Sequence, residues 1–267
     1  MSLTPNPLPE SVTAELIPEA KPVSTREDPP WTLWHVLAIA VLTMASIGLY
    51  LTLIAYATHR YLDPHTPVIE IAKRPILSVI AETLAYILIL GLMVSIARQP
   101  GVSFASAVRL KWPENPLSYL AGGVALAIGL QGMAHFLPMP KELPIDRFFR
   151  TPMEAWALSL FGITFAPLLE ELFFRGFLYP ALARRLGTYF AIFLTAVSFA
   201  VLHAPQLGRA WGPVFVIFLV GLALTVTRAV TKSVGTSLLI HMAYNFTLTA
   251  LLYIATDRFQ HLDKLTQ

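Results

Sequence analysis

The segment Val36–Thr58 reads VLAIAVLTMASIGLYLTLIAYAT and holds 23 residues without a single Asp, Glu, Lys or Arg. A helix needs about 20 consecutive, predominantly apolar residues to cross the hydrocarbon core of a bilayer. This run reaches that length without any charge. It therefore predicts a membrane-spanning helix rather than a buried helix of a soluble domain.

Six further apolar runs follow along the chain, and most of them are free of charged residues. In chain order they are Ile76–Ala97, Pro116–Pro140, Ala155–Leu169, Leu186–Gly208, Ala210–Thr227 and Ser233–Thr256, and the run that ends at Leu169 resumes after Glu170 and Glu171 as Leu172–Phe174. Helices are the usual way to satisfy backbone hydrogen bonds inside a bilayer. The sequence therefore predicts an all-α fold, a polytopic bundle of about seven spans, in a multi-pass protein of the cell membrane whose main partner is the lipid bilayer.

The composition excludes several classes of protein. Of the residues, 55% are hydrophobic and 13% are charged, and the mean hydropathy is +0.63. Soluble domains carry about 25% charged residues, so a soluble enzyme is excluded. The net charge is only +3 and the Lys and Arg residues are scattered through short connections, so no nucleic-acid partner is expected. The absence of cysteine excludes thiol catalysis, disulfides and Cys-ligated metal centres.

The chain divides into three regions. Residues 1–30 contain seven prolines and five acidic residues, a composition typical of a disordered tail. Residues 31–153 supply the first spans. Residues 154–256 hold most of the ionisable side chains that fall inside spans, and are predicted to form a second membrane domain.

The most informative of these side chains lie in the stretch PLLEELFFRG, residues 167–176. A charged side chain in the middle of a span costs about 2.5–3.5 kcal/mol on insertion scales and is functional by default. Glu171 and Arg175 are four residues apart, so on a helix they can form an ion pair. Glu170 points about 100° away from Glu171 and is left without such a partner.

Two histidines follow on later spans. His203 ends the stretch SFAVLH, and His241 precedes Asn245 by four residues. Counting outward from a turn at Gly187 at 1.5 Å per residue places Glu170 and His203 both about 25 Å from that turn, so they can face each other. The same count from the start of the last span places His241 shallower by about 10–15 Å.

Three short motifs thus occur in order on successive apolar segments: E-E-x-x-x-R from Glu170, F-x-x-x-H ending at His203, and H-x-x-x-N from His241. Together they resemble the motifs of the CPBP family of intramembrane proteases over residues 154–256. This family includes the Ras-converting type of CAAX prenyl endopeptidase and the bacterial Abi and lysostaphin-resistance-like proteins.

The resemblance implies an intramembrane endopeptidase. In this sequence Glu170 would activate a water molecule, and His203 would position and polarise it. His241 and Asn245 would stabilise the oxyanion that forms at the scissile carbonyl. The implied substrates are membrane-associated peptides, with prenylated CAAX-type peptides as one class. Amide hydrolysis inside a membrane needs a general base, a water molecule and hydrogen-bond donors that face the oxyanion.

Other polar residues in the spans receive structural interpretations. The Glu171–Arg175 pair is expected to support the site as a buried ion pair that holds helices together. Glu82, Gln131 and His135 match no motif. They are interpreted as helix-packing or cavity-lining groups.

Alternatives remain open from the sequence. Glu and His residues within spans also form proton relays, so a proton-coupled transporter is one alternative, and a non-catalytic immunity or anchoring protein is another. Within the protease hypothesis, Glu170, His203 and His241 could bind zinc, since two histidines and a carboxylate form a known catalytic set. The His-Glu-x-x-His pattern is absent, so a metal-independent mechanism without a cofactor is favoured.

Overall fold

The computed structural model describes residues 28–140 and 142–263. The predicted disordered tail lies outside these residues except for its last three. Within the described residues the secondary structure is helical, apart from one isolated bridge between Gln99 and Val102. The helices are α1 Leu33–Tyr61, α2 Val68–Ala72, α3 Pro75–Ala97, α4 Phe104–Ala107, α5 Pro116–Ala134, a 3₁₀ turn Pro144–Phe148, α6 Pro152–Ile163, α7 Phe165–Glu171, a π-helical segment Leu172–Leu178, α8 Tyr179–Leu186, α9 Thr188–His203, α10 Trp211–Thr231 and α11 Val234–Ala255.

The predicted fold class is confirmed: the protein is an all-helical, multi-pass integral membrane protein. Six helical stretches are long and apolar enough to cross a membrane, and residues 152–186 form one of them, 35 residues in length. The remaining predicted span corresponds to α9, an apolar helix of 16 residues. At 1.5 Å per residue α9 is about 24 Å long, slightly less than the hydrocarbon core.

The spans pack in neighbouring pairs, α1 with α3, α5 with α11, and α10 with both α9 and α11. A close approach between two spans is made at Gly123 of α5. A Cβ atom at this position would lie 2.4 Å from the carbonyl oxygen of Ile240. Small residues let membrane helices approach this closely. Gly123 thus fixes α5 against the helix that carries His241.

Two prolines shape the long span that carries the first motif. Proline lacks the amide hydrogen for a helical bond and clashes with the carbonyl four residues earlier. For Pro167 that carbonyl belongs to Ile163, the residue where α6 ends. For Pro180 it belongs to Gly176, inside the π-helical segment, and π-bulges are frequent at functional sites. Glu170 and Glu171 therefore lie in a short helix between two interruptions of regular α-helical hydrogen bonding.

The start of the first span is tied to the π-helical segment. The indole N–H of Trp31 donates to the carbonyl of Phe177 at 3.0 Å, and the two rings stack with centroids 4.2 Å apart. Arg184 donates to the carbonyl oxygens of Pro29 and Trp31 at 2.8 and 2.9 Å. These contacts hold α1 against the span that carries the two glutamates.

The number of crossings can be tested by labelling. We expect the protein to resist carbonate extraction and to need detergent. Seven crossings place the two ends on opposite sides of the membrane. Because the chain has no cysteine, single cysteines at Asp28 and Gln260 can be labelled with an impermeant reagent without background. Labelling of both from the same side would rule out an odd number of crossings.

Candidate active site

The buried ion pair expected from the first motif is present. Arg175 and Glu171 are completely buried, and Nη1 of Arg175 donates to Oε1 of Glu171 at 2.8 Å. The guanidinium also donates to the carbonyl of Gly221 at 3.0 Å and to the hydroxyl of Thr225 at 3.3 Å. Its Cζ atom lies 4.7 Å from the centroid of the Phe199 ring. Arg175 thus joins its own span to α9 and α10.

His241 is bound to the same carboxylate. Its Nδ1 atom lies 2.9 Å from Oε1 of Glu171, and the residue is only 3% exposed. Glu171 is paired with Arg175, and a carboxylate in an ion pair can only accept hydrogen bonds, so Nδ1 donates. When the His241 ring is neutral, its lone pair is then on Nε2.

The depth of His241 differs from the sequence-based count, which placed it shallower than Glu170. Val234, at the start of α11, is completely buried, and its N–H donates to the carbonyl of Arg109 at 2.9 Å. The start of α11 therefore lies beneath another segment of chain, although Lys232 just before it is exposed. The count was wrong for this helix because α11 begins inside the protein.

Glu170 faces the two histidines. Its Oε1 atom lies 4.0 Å from Nε2 of His203, and its Oε2 atom lies 3.8 Å from Nε2 of His241. The Glu170 side chain is 20% exposed whereas that of Glu171 is fully buried. The adjacent carboxylates therefore differ in environment: one is neutralised in the interior and the other is open to a cavity.

The ring of His203 is oriented by the backbone. Its Nδ1 atom lies 2.8 Å from the carbonyl oxygen of Phe199, four residues earlier. A carbonyl oxygen can only accept, so Nδ1 carries a hydrogen. When the ring is neutral, its lone pair is therefore on Nε2. The Phe199 ring packs against the imidazole with centroids 4.5 Å apart. The four-residue spacing of F-x-x-x-H thus places both the backbone carbonyl and the ring of Phe199 against His203.

A cavity of about 340 Å³ adjoins Glu170 and His203. Its walls are mostly apolar side chains of α1 and α3, with Phe173, Phe174 and Leu202. Glu82 and Tyr86 of α3 also line it, so the cavity-lining interpretation of Glu82 is confirmed.

Gln131 and His135, which were interpreted in the same way as Glu82, do not reach the cavity. Gln131 and His135 are exposed on the outer surface at the end of α5, and neither lines the cavity. Tyr86 was not predicted as a site residue. Its signal in the sequence was its position four residues after Glu82, which places both on one face of α3.

Asn245 has a structural contact. Its Nδ2 atom donates to the carbonyl of Gly162 at 2.7 Å, which joins α11 to α6. An amide side chain has two N–H donors, so one of them is used here. This bond also satisfies a carbonyl near the break at Thr164, just after the end of α6.

The zinc alternative can be tested against the positions of the donor atoms. Zinc ligands lie about 2.0–2.2 Å from the ion, so tetrahedral ligand atoms lie roughly 3.3 Å apart. The separations of 4.0 and 3.8 Å around Glu170 are wider than this. Among residues 28–140 and 142–263, no group of three or more His, Asp or Glu side chains is arranged to hold a metal ion. The side chains as they stand do not fit zinc.

Comparison with known protein families gives one match in this region. The model of the Rce1-like family, described as Type II CAAX prenyl endopeptidase Rce1-like, matches residues 152–247. Comparison with the curated proteins and with the solved structures gives no significant match. The matched residues extend from the start of α6 into α11 and include all three motifs. Residues 152–247 are thus similar to the Rce1-like family of Type II CAAX prenyl endopeptidases, within an integral membrane protein.

Proposed function

We propose that the protein is an intramembrane endopeptidase in which Glu170 activates a water molecule for attack on a peptide bond. The observation that carries this proposal is the position of Glu170. Its carboxylate opens into an apolar cavity, with the Nε2 atoms of His203 and His241 at 4.0 and 3.8 Å. The Rce1-like match supports a protease of the CAAX type.

The hydrogen-bonding capacities of the three groups support a bound water. When both rings are neutral, the Glu170 oxygens and the Nε2 atoms of the two histidines are all hydrogen-bond acceptors. They cannot bond to one another directly, and their separations exceed hydrogen-bond range. A water molecule supplies two O–H donors and can bridge groups at such separations. Donation to Glu170 and to one imidazole would leave an oxygen lone pair for attack, and Glu170 would take the proton as general base.

Stabilisation of the oxyanion is proposed for His241 and Asn245. The His241 ring lies between two carboxylates, Glu171 on the Nδ1 side and Glu170 on the Nε2 side. Glu170 would pass the water proton to Nε2 of His241, and the two carboxylates would balance the charge of the imidazolium that then donates to the oxyanion. The proton would return to Glu170 when the oxyanion collapses. Asn245 has a second amide N–H beyond the one bound to Gly162. Donors that are already in place need no reorganisation when charge develops.

The proposed substrates are peptides held at the membrane, including prenylated CAAX-type peptides. The mostly apolar walls of the cavity support a hydrophobic ligand next to the scissile bond. The glutamates lie within a membrane-crossing stretch, so a substrate anchored in the bilayer could reach them without leaving it.

The proposal is tested by comparing the peptides of membranes that contain the active protein with those of membranes that contain Glu170→Gln. We expect cleaved termini that appear only with the active protein. Identical peptide profiles, together with proton movement in reconstituted vesicles, would instead support the transporter. Identical profiles with no such movement would support a non-catalytic protein.

Metal dependence is tested on the purified protein. We expect hydrolysis of the peptide substrate to survive exhaustive chelation in detergent, because the side chains around Glu170 do not fit zinc. Metal analysis of the chelated sample provides the control. Loss of activity that one equivalent of zinc restores would contradict the glutamate mechanism and assign Glu170, His203 and His241 as ligands.

A further inference from the structure

A second carboxylate enters the cavity from the N-terminal half of the chain. Glu82 is the only charged residue of α3, and it lines the cavity together with Glu170. In the part of the chain that the structure describes, it forms no hydrogen bond or ion pair. An intramembrane carboxylate that is not needed for packing is costly and points to a function.

Aromatic packing sets the position of Glu82. Tyr86, one turn further along α3, stacks on Phe161 with ring centroids 5.9 Å apart and contacts Phe165 with centroids 6.2 Å apart. Phe161 belongs to α6 and Phe165 to α7, the short helix that carries Glu170. The contacts hold this face of α3 against the catalytic span, so the two carboxyl groups face one cavity from different helices.

The surroundings of Glu82 favour a protonated carboxyl group. Arg175, the buried cation of this region, is already bound to Glu171. Glu82 and Glu170 line the same mostly apolar cavity. Two carboxylates that share a poorly solvated site do not both ionise readily. A proton held by Glu82 avoids a second charge in this site and leaves Glu170 as the base.

We propose that Glu82 is the general acid that protonates the leaving amine. This inference rests on the proposed protease function. Water oxygen bonds to the scissile carbonyl carbon, and the water proton moves to Glu170. When the C–N bond breaks, its electron pair remains on nitrogen, and the carboxyl proton of Glu82 moves to that nitrogen. The proton on Glu170 then returns to Glu82 through water in the cavity, so the site is restored without any other reactant.

The test compares two leaving groups. The peptide substrate from the membrane comparison is synthesised with its scissile amide and, separately, with a thioester at the same bond. A thiol has a pKa of about 8.5, so a thiolate leaves without a proton from the enzyme. Glu82→Gln is expected to slow amide hydrolysis by about 10²-fold and to hydrolyse the thioester at nearly the wild-type rate. Glu82→Asp, which keeps an acid, is expected to recover part of the amide activity.

The controls separate this inference from the proposed function. Glu170→Gln is expected to lose both reactions, because both need the activated water. Glu114→Gln makes the same chemical change in an exposed loop and should lose neither. Equal losses of amide and thioester hydrolysis in Glu82→Gln, or no loss at all, would overturn the role of Glu82 while leaving Glu170 in place. Normal turnover by Glu170→Gln would overturn the proposed function itself. Thermal unfolding of each purified variant identifies losses that arise from misfolding.

Discussion

Glu170→Gln is expected to slow peptide hydrolysis by about 10²–10⁴-fold, the usual contribution of a general base. Glutamine keeps the volume and a hydrogen-bonding end but cannot take the proton of the attacking water. The fold should be nearly unchanged, because the side chain is partly open to the cavity and its nearest polar partners are 3.8 and 4.0 Å away. A cleavage assay and a thermal unfolding curve on the same detergent-purified sample measure both quantities.

A double mutant gives a stricter test of the same site. His203→Ala should be comparably inactive, and adding it to Glu170→Gln should cost little more, since groups that act as a unit are strongly non-additive. Glu114→Gln provides the matched Glu-to-Gln control. Near-normal turnover by Glu170→Gln, or fully additive losses, would contradict the proposed mechanism.

Arg175→Ala is expected to destabilise the protein by about 3–5 kcal/mol, the range for removing one partner of a buried pair in soluble proteins. The substitution leaves the fully buried Glu171 without its cation and removes the donor to the Gly221 carbonyl. Lysine has a single ammonium group without the planar fork of arginine, so Arg175→Lys should restore only part of the stability. Abundance in membranes and thermal unfolding in detergent are the measurements.

Arg185→Ala is the matched control, because Arg185 is exposed at the end of α8 and its removal should change little. An Arg175→Ala protein with normal abundance and normal unfolding but without activity would contradict the structural role. Such a result would place Arg175 among the catalytic groups.

The sequence alone was sufficient to predict the membrane class, the approximate number of spans and the Glu171–Arg175 pair. Each of these depends on local rules. Spans follow from the length of apolar runs, and the pair follows from the i, i+4 spacing on one helix. The approach of Glu170 to His203 also followed from counting residues on either side of one turn at Gly187.

Only the tertiary structure decided the remaining features of the site. The depth of His241 depends on where α11 begins, and a distant segment near Arg109 buries that start. Glu82 joins the cavity because Tyr86 packs against rings more than 70 positions later in the chain. Asn245 uses one donor on Gly162, a residue of another helix. Periodicity within a helix defines which side chains share a face, but packing between helices defines what each face meets.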